Sequence, residues 1–564
     1  MNEKAALGRK IDASLGKIPC DLVIKDAKCL DVFSGNWINQ DLGILDNTLV
    51  AVDLGIKGHR ELEGRGKWVV PGFIDAHVHI ESSLLTPLGF QSLALPKGTT
   101  TAICDPHELA NVQGVKGIEY FLREAETLFM DLRVMLSSCV PATEMETNGG
   151  GPIQCAQLLP LKLHPKALGL AEMMNVPGVL FKDEAVLEKV LAFSDRPIDG
   201  HCPLLKGREL SAYAVTGISS CHESSELEEA REKLRKGLAV WIREGSVAKD
   251  LKALIPLLDW ASSPFIGFCT DDRNPLDISK EGHIDYLVRQ AIRAGVTPAA
   301  AYRSASWSVA AHYGLDKAAT RTGALAPGYQ ADLVILDDAD SCSISQVIKS
   351  GRLVEELSLS SSNQKQAFEN SVKATVPEAH DLEGPKGKVH CIEVIPAKII
   401  TGRSIRDSNE RGVAKLSVLE RYGKGTKPSN GYVVGFGENL QGAIASSVGH
   451  DSHNLCVVGS NSEDMRIALA SLIESGGGFA VVQNKKVISH LPLPFGGLMT
   501  SENPKTVEKK LGELRKASLE IGCKLPEPFL QLAFLCLPVI PSLKLTDKGL
   551  VDVEQFKIID VRVV

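Results

Sequence analysis

Eight short apolar runs recur between residues 72 and 273 of this 564-residue chain, and most are separated by segments with the apolar spacing of a helix. The runs are "GFIDAHVHI", "TTTAICDPHE", "LRVMLSSCV", "ALGLAEMMN", "PIDGHCP", "GISSCHESS", "LAVWIREGS" and "FIGFCTDDR". Eight strand–helix units over about 250 residues are the size of a (β/α)8 barrel. A doubly wound sheet would need fewer parallel strands and usually a phosphate-binding loop, which the sequence lacks. We therefore predict an α/β fold with a (β/α)8 barrel over residues 71–318.

The regions on either side of the barrel carry short alternating strands. "CDLVIKDAKCLDVFSG" lies in residues 1–70 and "GALAPGYQADLVILDD" in residues 319–384, and the two predict one small β-sandwich domain built from both flanks. The polar segment 357–387 has the composition of a linker. Residues 385–564 predict an additional C-terminal α/β domain, in which "SNSEDMRIALASLIESGGG" has the pattern of a capped amphipathic helix.

Charge and cysteine usage limit the partners and the compartment. The net charge of -7 is spread along the chain, so we expect no nucleic acid and no anionic membrane as partner. The most apolar late stretch, "FLQLAFLCLPVIPSL", is too short to span a bilayer and contains Pro538 and Pro541. The N-terminus has no signal-peptide core, and the thirteen cysteines form no C-x-x-C pairs. This usage indicates reduced thiols in a cytoplasmic protein.

Two histidines, His77 and His79, stand one residue apart at the end of the first run. Residues i and i+2 of a strand point the same way, so both imidazoles project into one space. Such a pair is either two hydrogen-bonded core histidines or half of a metal site.

Polar side chains also end five further runs. The set over all six runs is His77 and His79; Asp105, His107 and Glu108; Glu172; His201; His222 and Glu223; and Asp271 and Asp272. The carboxyl ends of barrel strands converge on one face, where such enzymes carry their chemistry. Imidazoles and carboxylates gathered there indicate a metal site, which favours the second interpretation of the histidine pair.

Several stretches together resemble one known family. "PGFIDAHVHIESS", "CDPHELANVQG", "GLAEMMNVPGV", "DGHCP", "SSCHESSE" and "FCTDDRNPLDI" resemble the amidohydrolase superfamily and, within it, the bacterial-type adenine deaminases, and "VGHDSHNLCVVGSN" and "LPLPFGGLM" extend the resemblance to the third region. It implies a binuclear centre of Mn(II) or Fe(II), with Zn(II) as a possible substitute. The implied ligands are His77, His79, Glu172, His201, His222 and Asp271. Glu172 stands where many superfamily members have a carboxylated lysine, and Lys166 precedes that strand and is a poor candidate.

The resemblance also implies an activity. It is the hydrolytic deamination of adenine to hypoxanthine and ammonia in purine salvage, by a homo-oligomer, expected to be a dimer. Two alternatives stay open: an amidohydrolase acting on a modified purine or a cyclic amide, and a relative that keeps the barrel only as a scaffold.

Deamination at C6 needs a base, and protonation of the ring nitrogen N1 would make C6 electrophilic. We expect Asp271 to be the base, with Asp272 as its rival, because the sequence does not tell which of two adjacent carboxylates turns inward. Glu223 is a candidate N1 donor or, alternatively, a carboxylate at a helix N-terminus. His107 and Glu108 either line the base pocket or support the metal ligands.

The third region contains one further candidate, the loop "SSVGHDSHN" with His450, Asp451 and His453. These residues are either ordinary turn residues or part of a loop that closes over bound adenine at the barrel mouth.

Overall fold

The computed structural model describes residues 3–359, 368–396, 398–425 and 427–563. The chain begins with a helix, α1 (Glu3–Ser14), which the sequence did not predict. Five strands follow it: β1 (Cys20–Leu30), β2 (Trp37–Leu45), β3 (Thr48–Asp53), β4 (Gly58–Glu63) and β5 (Trp68–Pro71).

Each of the eight apolar runs contains one strand of a parallel barrel. The strands are β6 (Phe73–Val78), β7 (Thr99–Cys104), β8 (Asp131–Leu136), β9 (Ala167–Met173), β10 (Ile198–Gly200), β11 (Ser220–Cys221), β12 (Ala239–Arg243) and β13 (Ile266–Cys269). They form two sheets, with the orders β10-β9-β8-β7-β6 and β11-β12-β13. A parallel bridge from Val78 to Asp271 joins the sheets at one side, and Ser219 N–H donates to Ile198 O over 3.0 Å at the other. The predicted barrel is confirmed.

Helices surround these strands. They are α2 (Pro87–Ala94), α3 (His107–Gln113), α4 (Val115–Thr127), α5 (Cys155–Lys162), α6 (Val176–Leu180), α7 (Glu184–Ala192), α8 (Gly207–Ala214), α9 (Leu227–Arg235), α10 (Leu251–Leu254), α11 (Pro275–Glu281), α12 (Ile284–Arg293), α13 (Pro298–Ser304) and α14 (Trp307–His312). α12 shows why they pack inward: Ile284, Leu287 and Val288 recur at helical spacing and are all buried.

The strands of the two flanks pair with each other, as expected. The returning strands are β14 (Leu333–Asp338), β15 (Ser343–Lys349) and β16 (Arg352–Leu353). β14 runs antiparallel to β5, with Leu333 opposite Pro71 and Leu336 opposite Trp68. In the described residues the flanks form one eight-stranded sheet, β16-β15-β14-β5-β1-β2-β3 with β4 beside β1, so the two layers expected of a sandwich are hydrogen-bonded into a single sheet.

The C-terminal region is built on a second eight-stranded sheet. Its elements are β17 (Lys388–Val394), β18 (Thr401–Asp407), β19 (Val413–Leu419), β20 (Ser429–Val434), β21 (Ala443–Ser446), β22 (Leu455–Gly459), α15 (Ser462–Ser475), β23 (Gly478–Gln483), β24 (Lys486–Pro492), α16 (Pro504–Glu520), α17 (Pro528–Ala533) and the three-stranded sheet β25 (Leu543–Thr546), β26 (Gly549–Asp552) and β27 (Lys557–Ile559). The large sheet is antiparallel except between β17 and β20. Part of the predicted linker, residues 360–367, lies outside the described residues.

α15 is the amphipathic helix that the sequence predicted. The side chain of Asn461 caps its N-terminus by accepting the Asp464 N–H over 2.8 Å. Gly476, with φ +74°, ends it in the left-handed conformation that favours glycine.

The C-terminal domain packs directly on the barrel loops. Thr500 N–H donates to Leu84 O over 2.8 Å, and Thr147 N–H donates to an Asp547 carboxylate oxygen over 2.9 Å. One apolar cluster is continuous from the barrel strands into this domain. Within the described ranges, every helix is too short or too polar to cross a bilayer.

Candidate active site

β6 brings the two histidines of the first run together. His77 lies on β6 and His79 directly follows it, and both side chains are buried. Their Nε2 atoms are 3.1 Å apart. The Nδ1 atom of His79 lies 2.9 Å from Asp105 O, which leaves its Nε2 for a ligand.

Glu172, on β9, lies between two pairs of imidazoles. Its Oε2 is 2.6 Å from His201 Nδ1 and 3.3 Å from His222 Nε2. Its Oε1 is 3.4 Å from His79 Nε2 and 3.8 Å from His77 Nε2. Burial alone would raise the pKa of this carboxyl, but His201 and His222 hold the pKa well below its ordinary value. The two oxygens of an ionised Glu172 therefore face different groups of ligands.

Asp271 follows β13 and lies beside the two histidines of the first run. Its Oδ1 is 3.2 Å from His79 Nε2 and 3.7 Å from His77 Nε2. Its backbone is in the left-handed region, with φ +54°, and its N–H donates to His77 O over 3.0 Å. These backbone bonds fix the carboxylate beside the histidine pair.

These residues fit a divalent cation. Donor atoms of His77, His79 and Glu172 lie within 4.8 Å of one another, and so do those of Glu172, His201 and His222. Imidazoles and carboxylates are the ligands that Zn, Fe and Mn accept. His201 Nε2 is buried without a hydrogen-bond partner among the described residues. Lys166 instead contacts Asp131 over 2.8 Å, away from this group.

Asp272 also lies at the site but has a different partner. Its Oδ1 accepts a hydrogen bond from the Ser82 hydroxyl. Burial, together with the neighbouring charge of Asp271, raises its pKa. Burial alone would raise the pKa of Asp271, but His79 and Arg243 hold the pKa well below its ordinary value, so Asp271 contacts the histidines as an ionised group.

Arg243 is a site residue that the sequence reading missed. It ends β12, its Nη1 donates to Asp271 Oδ2 over 2.8 Å, and its Nη2 donates to Glu223 Oε2 over 3.0 Å. Its Nη1 also donates to Glu223 Oε1, so the contact of Arg243 with Glu223 is bidentate. Its Nη2 donates to Asp250 Oδ2 over 2.9 Å. The signal was present in "AVWIR", because a charged residue ends the seventh apolar run as others end their runs.

His107 and Glu108 connect the ligands to the C-terminal domain. His107 Nδ1 is 3.0 Å from Asp105 Oδ2 and 3.3 Å from Glu172 Oε1. Glu108 contacts His450 Nδ1 through one oxygen and His453 Nε2 through the other. The loop of the third region therefore reaches the barrel mouth.

A cavity of about 30 Å³ lies between the two domains at this point. Its polar wall includes His79, Glu172, Asp271, His450 and Asp451. Its apolar wall consists of Met174, which directly follows β9, and of Ile399, Phe534, Leu537 and Ile540 from the C-terminal domain, all of them buried. A cavity of this size holds a water molecule. The C-terminal domain thus covers the candidate metal centre with an apolar lid.

A parallel barrel with four histidines and two carboxylates at its strand ends defines a metal-dependent hydrolase of the amidohydrolase type. Comparison with known proteins gives the same class: the Amidohydrolase family model matches residues 68–354, and the Adenine deaminase C-terminal domain model matches residues 393–557.

Full-length relatives identify the branch. The adenine deaminase of Brucella suis biovar 1 (strain 1330) is 47% identical over 99% of this chain and 97% of its own length. Adenine deaminase 1 of Rhizobium meliloti (strain 1021) is 47% identical over 98% of this chain and 99% of its own length. The adenine deaminase of Methylobacterium nodulans is 48% identical over 98% of this chain and 100% of its own length. This chain belongs to the adenine deaminase family, which confirms the resemblance seen in the sequence.

Proposed function

We propose that this chain hydrolyses adenine to hypoxanthine and ammonia. The observation that carries this proposal is the position of Glu172 between two pairs of imidazoles, with Asp271 beside one pair at the barrel mouth. The names of the relatives, at 47–48% identity over nearly their full lengths, support adenine as the substrate.

We propose a binuclear centre, with His77, His79, Glu172, His201, His222 and Asp271 as ligands and Mn(II) or Fe(II) as the native metal. The two-sided contacts of Glu172 support two ions rather than one, and Zn(II) suits the same donors. When bound, such ions lower the pKa of water so that hydroxide is present at neutral pH.

We propose that Asp271 is the base, because its Oδ1 faces the histidine pair while Arg243 holds its Oδ2. It would take the hydroxyl proton after addition to C6 and deliver it to the leaving amine. Asp272 remains the rival, since it lines the same cavity. General acid–base catalysis of this kind contributes about 10²–10⁴-fold.

The contacts of Glu223 favour a positioning role. Both of its oxygens accept from Arg243, an arrangement that suits an ionised carboxylate. An ionised carboxylate has no proton to donate, so this geometry does not support Glu223 as the N1 donor. We propose that Glu223 and Arg243 together orient Asp271.

We propose that His107, Glu108, His450, Asp451 and His453 form the substrate side of the site. His107, Glu108, His450 and Asp451 line the cavity, and His453 contacts Glu108. Their burial between two domains supports a role in excluding water from bound adenine.

The decisive experiment measures ammonia release with protein purified under anaerobic conditions and analysed for metal. Adenine, adenosine, N6-methyladenine and dihydroorotate are compared as substrates. We expect adenine to have the highest kcat/KM, with about two metal ions per chain. Preference for N6-methyladenine or dihydroorotate would support the alternatives of a modified purine or a cyclic amide, and no turnover with any of them would support a scaffold role.

We propose that the protein acts in the cytoplasm in purine salvage and that it forms a homodimer. Thirteen buried free thiols suit a reducing compartment. Leu163 and Phe181 directly follow α5 and α6, and Leu191 is on α7; they are 84%, 84% and 72% exposed, which supports a contact with a second copy. Light scattering tests the dimer, and growth on adenine as sole purine source tests the salvage role.

A further inference from the structure

A carboxylate and two imidazoles meet at the boundary between the barrel and the C-terminal domain. Glu108 belongs to α3, and His450 and His453 belong to the loop between β21 and β22. Glu108 and His450 are 342 residues apart in the chain. The side chains of all three residues are at most 3% exposed.

The hydrogen positions in this cluster follow from one backbone contact. Gly449 N–H donates to His453 Nδ1 over 3.3 Å, so the proton of the neutral His453 ring is on Nε2, which faces Glu108. Burial lowers the pKa of His453, which is consistent with a ring that carries a single proton. A protonated Nε2 does not bind a cation, so this arrangement of Glu108, His450 and His453 is not a third metal site.

Glu108 faces one imidazole with each oxygen: Oε1 is hydrogen-bonded to His450 Nδ1, and Oε2 lies against His453 Nε2. Burial alone would raise its pKa, but His450, His453 and His107 hold the pKa well below its ordinary value. His450 accordingly presents Nδ1–H to an ionised Glu108. A carboxylate that accepts from one ring nitrogen of a histidine fixes the ring orientation and leaves the other nitrogen for chemistry.

The other ring nitrogen of His450, Nε2, is buried and unpaired within the described part of the chain. The ring lines the same cavity as Asp271 and Glu172, and it stacks on Phe534 with centroids 4.6 Å apart and planes 13° from parallel. Nε2 is thus the ring atom that remains for a ligand in that cavity.

We propose that His450, oriented by Glu108, is the catalytic acid that protonates N1 of adenine. This role rests on the proposed function. As the hydroxide oxygen bonds to C6, the electron pair of the C6–N1 double bond takes the proton from His450 Nε2, and the ring becomes neutral. Asp271 then moves the hydroxyl proton to the amine, the C6–N bond breaks, and ammonia leaves with the C6 carbonyl formed. The proton released when water became hydroxide returns to His450 through solvent.

Two observations support this assignment. Burial alone would lower the pKa of His450, but Glu108, Asp272 and Asp451 raise it to about 9, so the ring carries the proton at neutral pH. Glu223, the donor expected from the sequence, already accepts from Arg243 on both oxygens.

The test compares His450→Ala and His450→Gln with His380→Ala, a matched control at an exposed histidine on the surface. We expect kcat for adenine to fall by about 10²-fold or more in both His450 variants, with metal content and melting temperature unchanged. Added imidazole should restore part of kcat in His450→Ala. Glu108→Gln should also lower kcat, but imidazole should not rescue it because the ring is still present.

A second substrate separates acid catalysis from binding. The fluorine of 2-fluoroadenine withdraws electrons and makes C6 electrophilic with less help at N1. The loss of kcat in His450→Gln should therefore be smaller with 2-fluoroadenine than with adenine. Equal losses with both substrates, a rise in KM alone, or parent-like kcat would overturn the role of His450. Absence of adenine deamination by the parent protein would instead refute the proposed function itself.

Discussion

Glu172 is the residue on which the candidate centre depends, because its two oxygens face different pairs of histidines. A carboxylate can bridge two cations only while both oxygens are charged acceptors. Replacing one oxygen by an amide removes that capacity without changing the volume of the side chain.

Glu172→Gln should therefore bind less metal while keeping its fold. We expect metal content to fall from about two ions per chain and kcat to drop by at least about 10²-fold, with an unchanged circular dichroism spectrum. Elemental analysis and ammonia release measure this, with the exposed Glu184→Gln as control. A variant with full metal content and parent-like turnover would show that Glu172 does not bridge the metal ions.

The two adjacent aspartates make a sharper comparison. Asp271→Asn removes the acceptor that faces His79, so kcat should fall by about 10²-fold or more. Asp272→Asn keeps a hydrogen-bond acceptor for Ser82, and we expect a smaller loss. Measuring kcat of both variants under the same conditions decides which aspartate is the base. A larger loss in Asp272→Asn than in Asp271→Asn would make Asp272 the base.

At the residue scale, the sequence predicted most of the site because strand ends of a barrel converge. The pair His77 and His79 is far in the chain from Glu172 and from His201, yet each of these groups lies at the end of an apolar run, and the structure brings them together. The sequence did not point to Arg243, because imidazoles and carboxylates are the side chains that indicate a metal site. A cation cannot bind a metal, although it can orient the carboxylates that do.

At the element scale, the lengths of the strands matter less than their ends. β10 and β11 contain three and two residues, and each is followed directly by a histidine of the site. Glycine and polar residues around these runs made them recognisable. α1 was missed for the opposite reason: Ala13 is its only buried residue, so it has no apolar face to produce a periodic pattern.

β12 joins three strand ends through Arg243, which contacts Glu223, Asp250 and Asp271. Arg243→Gln would leave these buried carboxylates without their cation, at a cost of about 3–5 kcal/mol. We expect a lower melting temperature and a fall in kcat with little change in KM. Arg243→Lys should recover stability better than kcat, because lysine restores the charge but not the bidentate geometry. Equal recovery of both would argue against a positioning role.

At the scale of the whole molecule, the site is complete only where two domains meet. The contact of Glu108 with His450 spans 342 residues, and no local pattern in the sequence encodes it. The sequence could therefore offer only alternatives for the loop at His450, turn or lid. The apolar wall of Ile399, Phe534 and Leu537 was not predicted. An apolar segment that covers a site has the same residue types as one that packs in a core, so the sequence does not distinguish them.

The cavity of about 30 Å³ is smaller than a purine, so we expect this apolar wall to move when adenine enters. Phe534→Ala removes the ring that stacks on His450, and Leu537→Ala loosens the same wall. Both variants should close less tightly over substrate, so KM should rise while kcat falls, by about tenfold or more in kcat/KM, with metal content unchanged.

Hydrogen exchange of peptides covering residues 528–541 should decrease when adenine binds the parent and decrease less in the variants. Phe265→Ala, at a phenylalanine that is 63% exposed, is the control. Parent-like kinetics in both lid variants, or exchange that adenine does not change, would mean that substrate enters by another route.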